Sequence, residues 1–252
     1  MKPLDLPLVN AYVEQHIGGF HDKRLKSPAE LTLSSLLRKK NPYLFRAKNL
    51  LVASDLVTEL LGAFLSSSEE KLFGDFLEDL AIFVAIQTAD GHKSTAPGID
   101  LEFADAGVQY VVSIKSGPNW GNSSQQKKQE DDFKKAVIRL KQSSHTANVQ
   151  PVLGICYGRT RTTFLRGYMK VTGQSFWQMI SGDADLYKKI IVPVGYRAKD
   201  HNERFSEGRS LIVNRFTHEF ISQFCDVYGA IDWDRLIAFN SQNMDQLRSS
   251  GL

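Results

Sequence analysis

The stretch GIDLEFADAGVQYVVSIKSG, residues 98–117, decides the fold. Apolar and polar residues alternate on both sides of Asp105-Ala106-Gly107, a tripeptide typical of a turn. Because successive side chains of a strand point to opposite faces of a sheet, this alternation predicts a hairpin of two antiparallel strands. One face of the hairpin is predicted to be apolar and the other polar.

The polar face of this hairpin carries Asp100, Glu102, Ser113 and Lys115. Converging carboxylates can hold Mg²⁺, which takes oxygen ligands and keeps several waters. Such a metal lowers the pKa of a bound water, and a neighbouring lysine can stabilise the attacking hydroxide or the charge on a phosphodiester. In many sheets the same residue types form only a cross-strand ion pair. The hairpin alone leaves both interpretations open.

The rest of the chain alternates between helical and strand patterns. Apolar residues at helical spacing predict a helix over 68–86, and Ser67 with Glu70 predicts a capping box at its start. This order of elements predicts an α/β fold with a mixed central β-sheet flanked by helices. The elements predicted downstream are a helix from about residue 123, a strand over 149–158, a strand or hairpin over 159–171 and a short helix over 172–182.

The length and the composition of the chain predict an ordinary globular protein. At 252 residues a single domain is the default, and we expect a helical part at 1–66, a core at 67–195 and C-terminal helices at 196–252. The net charge of +3 is too small to indicate a polyanion partner by itself. The two cysteines lie far apart, the N-terminus lacks a signal-peptide pattern, and no apolar run is long enough to span a membrane. We therefore expect a soluble, cytoplasmic protein without a membrane partner.

A glutamate on the helix after the lysine strand offers another carboxylate. Glu130 lies three residues before Phe133 and seven before Val137, so we expect it on the buried stripe, with Asp131 and Asp132 pointing elsewhere. Buried glutamates are rare unless they are paired or bind a metal. Glu130 could thus replace the carboxylate missing from the serine position of the lysine strand, or it could be an edge residue that reaches solvent.

Several segments resemble those of type II restriction endonucleases. SIK at 113–115, followed fifteen residues after the lysine by a helical glutamate, resembles a variant of the PD-(D/E)xK nuclease motif. In that variant serine or threonine replaces the acid two residues before the lysine. Further segments resemble enzymes that cut interrupted GG/CC sites: NPYLF at 41–45, LFGDFLEDLAIFVA at 72–85, SIKSGPNW at 113–120, CYGRTRTTFLRG at 156–167 and TGQSFWQMISG at 172–182.

The resemblance implies roles for the motif residues and a restriction-endonuclease-like core. Asp100 matches the metal-binding aspartate, Lys115 the catalytic lysine and Ser113 the substituted acid. Glu130 matches the migrated acid of the variant. Isoleucine stands directly before Asp100, where the family has proline. The implied cofactor is Mg²⁺.

Two further acids compete with Glu130 as metal ligands. Glu102, on the first strand of the hairpin, could serve as the second carboxylate. Family members also often place an acid from a helix before the sheet near the metals, and Glu78 is the residue that matches it. It shares a predicted inward helix face with Gly74 and Ile82, although a surface position is an equal alternative.

Basic and amide residues are candidates for contacts with double-stranded DNA. Arginine donates two parallel hydrogen bonds to guanine, which suits a G/C-rich site, although charged residues also protect exposed sheet edges. The loop before the helix at residue 123 could hold phosphates through side chains and free N–H groups. The candidates for base contacts are Arg159, Arg161, Arg166 and Lys170, and those for phosphate contacts include Asn119, Asn122 and Lys127.

The resemblance implies a Mg²⁺-dependent, site-specific DNA endonuclease of the bacterial cytoplasm. A G/C-rich palindrome such as GGNCC would require a homodimer that cuts one strand with each subunit. Helices at 205–240 could supply part of the dimer interface. The alternatives are a DNA repair or junction nuclease that recognises DNA shape, and a non-catalytic DNA-binding protein on a nuclease scaffold.

Overall fold

A mixed sheet forms the centre of the fold, and the predicted hairpin supplies two of its strands. In a computed structural model, which describes residues 1–143, 148–165 and 167–242, six strands pair in the order β1-β2-β3-β4-β6-β5. β3, β4 and β6 run parallel, whereas β1, β2 and β5 pair antiparallel with their neighbours. The predicted α/β class with a mixed sheet is confirmed. The strands are β1 (His92–Lys93), β2 (Leu101–Asp105), β3 (Val108–Lys115), β4 (Val149–Ile155), β5 (Thr163–Leu165) and β6 (Tyr168–Thr172).

Residues 98–117 fold as the predicted hairpin. Leu101 of β2 pairs with Val112 of β3 in an antiparallel register. The turn between the strands holds Ala106 and Gly107 at φ values of 49° and 78°. Glycine adopts a positive φ at little cost because it has no Cβ atom. The turn residues therefore set the register that brings the ends of β2 and β3 together.

Helices flank the sheet, and loops and turns connect the elements of the chain. None of the helices, within the described ranges, has the length and apolar character needed to cross a membrane. The helix predicted to start near residue 123 begins at Ser123, and the short helix predicted over 172–182 is found at Gln174–Ser181. The helices are α1 (Leu6–Ala29), α2 (Leu33–Arg38), α3 (Pro42–Ala47), α4 (Ala53–Ala89), α5 (Ser123–Ser143), α6 (Gln174–Ser181), α7 (Leu186–Lys189), α8 (Ile191–Val194), α9 (Ala198–Phe224) and α10 (Trp233–Ser241).

The capping box predicted at Ser67 and Glu70 is wrong. Both residues lie inside α4, which runs without a break from Ala53 to Ala89. The Ser67 hydroxyl donates a hydrogen bond of 3.2 Å to the carbonyl oxygen of Ala63, one turn earlier. This back-bonding accommodates a serine in a helix interior, so a serine cluster does not by itself begin a helix.

The chain packs into two compact units. The sheet unit comprises residues 1–20 and 71–198, and the helical unit comprises residues 21–70 with the described residues from 199 onward. The expected organisation of the chain as one domain stays a prediction. The helical unit has its own core of buried apolar side chains from α2, α4, α9 and α10, including Leu36, Leu60, Phe216 and Leu236.

The sheet unit has an apolar core on each face of its sheet. On one face Leu101 and Val112 pack with apolar residues of α1, α4 and α6. On the other face Val111 packs in a cluster with Phe133 of α5. Because side chains alternate along a strand, residues of β2 and β3 on this second face meet α5. The predicted polar face of the hairpin therefore lies under a helix.

Candidate active site

Asp100 and Lys115 lie beside each other at one end of the hairpin. Asp100 directly precedes β2 and Lys115 ends β3, and antiparallel pairing brings these strand ends together. Oδ2 of Asp100 lies 3.9 Å from Nζ of Lys115. The same oxygen accepts a hydrogen bond of 2.6 Å from the backbone N–H of Ile114. The carboxylate is thus held in place by the strand that carries the lysine.

Ser113 is buried and connects Lys115 to α5. Its Oγ lies 2.9 Å from Oε1 of Gln129 and 3.3 Å from Oδ2 of Asp100. Nζ of Lys115 donates to this hydroxyl at 3.1 Å and to the carbonyl oxygen of Ile114 at 2.9 Å. The ammonium group therefore donates its hydrogen bonds to two neutral oxygens, and the Asp100 carboxylate is a charged neighbour at 3.9 Å.

The buried face of α5 is rotated by one residue from the predicted face. Gln129, Asp132, Phe133 and Ala136 are buried, with the spacing of a single helix face, whereas Glu130 is half-buried. The prediction that Asp132 points away from this face is wrong. Residues three and four positions before Phe133 flank it on the helix, so Phe133 alone does not choose between Glu130 and Gln129. The signal that favours Gln129 is Ala136, seven residues later.

Gln129 and Glu130 line different depressions of the surface. Lys115, Gln129 and Asp132 are among the residues that line a cleft of about 330 Å³. Glu130 lines a separate groove of about 370 Å³, together with Val149. The structure therefore places a neutral amide, and not the predicted glutamate, beside the serine of the motif. The role of Glu130 as a metal ligand stays a prediction.

The Glu102 carboxylate is buried and engaged by other side chains. Glu102 is 4 % exposed, and its Oε1 accepts hydrogen bonds from Nη2 of Arg139 at 2.7 Å and from the Ser94 hydroxyl at 2.5 Å. Arg139 belongs to α5, so this ion pair ties α5 to β2. A buried carboxylate with a guanidinium partner has its charge balanced. These contacts favour a structural role, and metal binding by Glu102 stays a prediction.

Replacing Arg139 with methionine is expected to lower the free energy of unfolding by about 1–3 kcal/mol, because it leaves a buried carboxylate without its charged partner. The Arg139 side chain is 43 % exposed, so water partly compensates for the loss. Urea unfolding measures the change, and Lys141→Met on an exposed part of α5 is the matched control. Equal stability of the two variants would contradict the structural role of the pair.

Glu78 of α4 brings a second carboxylate into the electrostatic field of Asp100 and Lys115. Burial is the largest cause that raises the pKa of Glu78, and the negative charge of Asp100 raises it further. Lys93 and Lys115 act in the opposite direction, and Nζ of Lys93 lies 3.7 Å from Oε1 of Glu78. The carboxylates of Glu78 and Asp100 therefore repel each other, and additional positive charge between them would stabilise the site.

Comparison with known proteins assigns the chain to a family. The family model described as type II restriction endonuclease EcoO109I matches residues 8–202. That stretch is well over half of the 252 residues, and it includes Asp100, Ser113 and Lys115. The chain belongs to this family. It is therefore a type II restriction endonuclease, an enzyme that binds DNA and hydrolyses it. A search among curated proteins finds no match.

The base-contact candidates of this endonuclease that the structure describes lie after β4 and on β6. Arg159 and Arg161 are exposed in the segment between β4 and β5. Lys170 is half-buried on β6, where it pairs in register with Leu153. Arg166 lies outside the described residues. The structure thus places two arginines in solvent, and their contact with DNA bases stays a prediction.

The phosphate-contact candidates surround the start of α5. Asn119 and Lys127 are exposed. Asn122 caps α5: its Oδ1 accepts a hydrogen bond of 3.1 Å from the backbone N–H of Gln125, whose Oε1 accepts one of 2.9 Å from the N–H of Asn122. This reciprocal cap fixes the helix start beside the Lys115 cleft, which Trp120 also lines. The DNA contacts of all three residues stay predictions.

The raised pKa of Glu78 predicts that Glu78→Gln stabilises the metal-free endonuclease at neutral pH. Between the ordinary and the raised pKa, the folded state binds more protons than the unfolded state, so stability falls as the pH rises through this window. Glutamine does not titrate, so the Glu78→Gln variant does not lose this stability as the pH rises. Thermal unfolding in EDTA is therefore expected to show a higher melting temperature for the variant at about pH 7.5 than for the wild type.

The same pair of proteins supplies the control for this prediction. At about pH 3.5 the carboxyl group is mostly protonated in both states, so the difference in melting temperature is expected to shrink. A gain in stability that is equal at both pH values would mean that glutamine improves packing. No gain in melting temperature at neutral pH would contradict the inference that the charged Glu78 carboxylate destabilises the folded state.

Proposed function

We propose that this endonuclease cleaves DNA with Mg²⁺ at the site formed by Asp100 and Lys115, as a serine-substituted member of the PD-(D/E)xK superfamily. The observation that carries the proposal is the contact of 3.9 Å between the Asp100 carboxylate and the Lys115 ammonium. The contact lies at the end of β3, two residues after the serine of the motif. The family match supports DNA hydrolysis, and this contact supports where the reaction occurs.

The oxygens at this site suit a hard divalent cation. Within the described residues no group of three or more His, Cys, Asp and Glu side chains is arranged for a metal ion. Mg²⁺, however, is commonly held by one or two carboxylates and keeps several waters. Asp100 and Glu78 would supply those carboxylates, since their mutual repulsion is relieved by a cation. When bound, Mg²⁺ would lower the pKa of a coordinated water and neutralise charge on the scissile phosphate.

Glu102 and Glu130 are less suited than Glu78 to complete the metal site. The Glu102 carboxylate already accepts hydrogen bonds from Arg139 and Ser94. Glu130 lines a groove distinct from the Lys115 cleft. We therefore propose that Glu78 is the second carboxylate and that Glu102 holds α5 against the sheet.

Lys115 would act on the attacking water and on the phosphate. Its side chain is half-buried, and its ammonium group donates hydrogen bonds to the Ser113 hydroxyl and the Ile114 carbonyl oxygen. Both acceptors are neutral, so the positive charge remains available to stabilise a hydroxide or the pentavalent phosphorus. Asp100 orients the end of the strand that carries the lysine through its hydrogen bond with the Ile114 N–H.

The proposed substrate is double-stranded DNA with a short G/C-rich palindrome such as GGNCC. Arg159 and Arg161 are exposed and would donate paired hydrogen bonds to guanine in the major groove. Asn119 and Lys127 would contact phosphates beside the catalytic cleft. A palindrome is cut symmetrically when two copies of the chain are related by a two-fold axis, so we propose a homodimer.

Digestion of relaxed plasmid DNA in Mg²⁺, with an EDTA control, tests the proposed function. Discrete fragments that require Mg²⁺ are expected, and sequencing of their ends would give the site. Cleavage only of branched or damaged DNA would favour a junction or repair nuclease. A gel shift without cleavage under any divalent cation would favour a non-catalytic DNA-binding protein, and either result would overturn the proposal.

A further inference from the structure

Gln129 is a buried amide whose hydrogen bonds lead to the proposed catalytic lysine. It is 6 % exposed on the inner face of α5. Its Nε2 donates to the carbonyl oxygen of Gly98 at 2.9 Å, and its Oε1 lies 2.9 Å from the Ser113 hydroxyl. That hydroxyl in turn accepts a hydrogen bond of 3.1 Å from Nζ of Lys115. A continuous chain of three hydrogen bonds therefore joins the backbone at Gly98 to the lysine.

The backbone sets the direction of this hydrogen-bond chain. A carbonyl oxygen only accepts, so Gly98 requires the NH₂ group of Gln129 to face it. The amide oxygen then faces Ser113 and accepts from its hydroxyl at 2.9 Å, a shorter contact than the 3.3 Å between that hydroxyl and Oδ2 of Asp100. With its proton directed at Gln129, the Ser113 oxygen presents its lone pairs to Lys115. An ammonium group can only donate, so the orientation of the Gln129 amide leaves Lys115 an acceptor at the end of the chain.

We propose that Gln129 is a positioning residue for Lys115 and acts through the hydroxyl of Ser113. The inference rests on the proposed function, in which Lys115 acts on the attacking water. An amide suits this role better than a carboxylate would, because it fixes the ammonium without neutralising its charge. The Asp100 carboxylate lies 3.9 Å from the ammonium, beyond ordinary hydrogen-bond distance. Gln129 thereby holds the lysine in place and leaves its charge to the phosphate.

A double-mutant cycle on the cleavage rate tests this inference. Gln129→Met keeps the side-chain length but removes both hydrogen bonds, and Ser113→Ala removes the link to the lysine. We expect Gln129→Met to lower kcat for cognate plasmid by about 10–100-fold with little change in KM, because the lysine loses its fixed position. We expect the double variant to be no slower than Ser113→Ala alone, since both substitutions break one chain. Gln142→Met, at an exposed position on α5, is the matched control.

Two results would overturn the inference. If the effects of Gln129→Met and Ser113→Ala multiply, the two residues act independently. If Gln129→Met changes KM or thermal stability but not kcat, the amide only supports the fold. Should Gln129→Met fail to fold by circular dichroism, Gln129→Asn enters the same cycle. The asparagine side chain is one methylene group shorter and cannot reach both Gly98 and Ser113. The double variant with Ser113→Ala must again be no slower than Ser113→Ala alone.

Wild type and Lys115→Ala are measured in the same series. If wild type does not cleave, or if Lys115→Ala cleaves as fast as wild type, the proposed function fails and the inference fails with it. If wild type cleaves and Lys115→Ala does not, but the rate effects of Gln129→Met and Ser113→Ala multiply, only the role of Gln129 is wrong.

Discussion

Lys115→Ala is expected to abolish DNA cleavage while it leaves DNA binding intact. The ammonium group is held at the end of β3 by the Ser113 hydroxyl and the Ile114 carbonyl oxygen. A side chain placed in this way to move a proton or to stabilise a developing charge typically contributes about 10²–10⁴-fold to the rate. Alanine removes the charge at a half-buried position, so the fold should tolerate it. Cleavage of plasmid in Mg²⁺ measures the loss.

A matched lysine on the same unit separates catalysis from general electrostatic attraction. Lys134 is exposed on α5 and lies 3.6 Å from Asp131, so Lys134→Ala removes the same charge away from the Lys115 cleft. Both variants should shift DNA on a gel in EDTA, and only Lys134→Ala should cut. Full activity of Lys115→Ala would remove the lysine from the mechanism, and loss of DNA binding by Lys115→Ala alone would make it a phosphate contact.

The hairpin was predictable because its information is local. Alternation with a period of two and a turn tripeptide specify the pairing within twenty residues. The proximity of Asp100 and Lys115 follows from that pairing, since they occupy adjoining strand ends. Catalytic residues placed on neighbouring strands of a hairpin can therefore be found from sequence patterns.

The contribution of α5 was harder to predict because the helix is mostly polar. Few apolar residues mark its buried face, and Phe133 is compatible with either Gln129 or Glu130 on the inside. A glutamate is also a chemically plain candidate for a metal ligand, whereas a glutamine is not. Packing against the sheet selects Gln129 and Asp132, and that selection depends on where the helix crosses the strands.

The partner of Glu102 could not be predicted from the sequence for a different reason, and a place for Glu78 near the metal site followed only from the family resemblance. Arg139 lies 37 residues after Glu102 and in another element, so no local spacing connects them. Glu78 comes from α4, and its neighbourhood with Asp100 depends on how a helix packs on the sheet. Long-range contacts of this kind decide which carboxylates remain available for a metal and which are used to hold the fold.

Asp100→Asn is expected to slow cleavage by about 10²-fold or more and to weaken the response to Mg²⁺, because a charged group near the reacting phosphate is lost. Asparagine can still accept the hydrogen bond from the Ile114 N–H, so the end of β3 should keep its conformation. Burial contributes most to the raised pKa of Glu78, and the substitution removes the further contribution of the Asp100 charge. The measurement is the cleavage rate as a function of Mg²⁺ concentration, with unfolding followed in EDTA.

Glu102→Gln is the matched control for Asp100→Asn, since both substitutions exchange one carboxylate of the hairpin for an amide. Asp100 faces Lys115, whereas the Glu102 carboxylate accepts hydrogen bonds from Arg139 and Ser94. We expect Asp100→Asn to lose activity with little loss of stability, and Glu102→Gln to lose stability with the Mg²⁺ dependence preserved. The reverse outcome would make Glu102 the metal-binding carboxylate and Asp100 a structural one, because loss of a metal-binding carboxylate raises the Mg²⁺ concentration that the reaction requires.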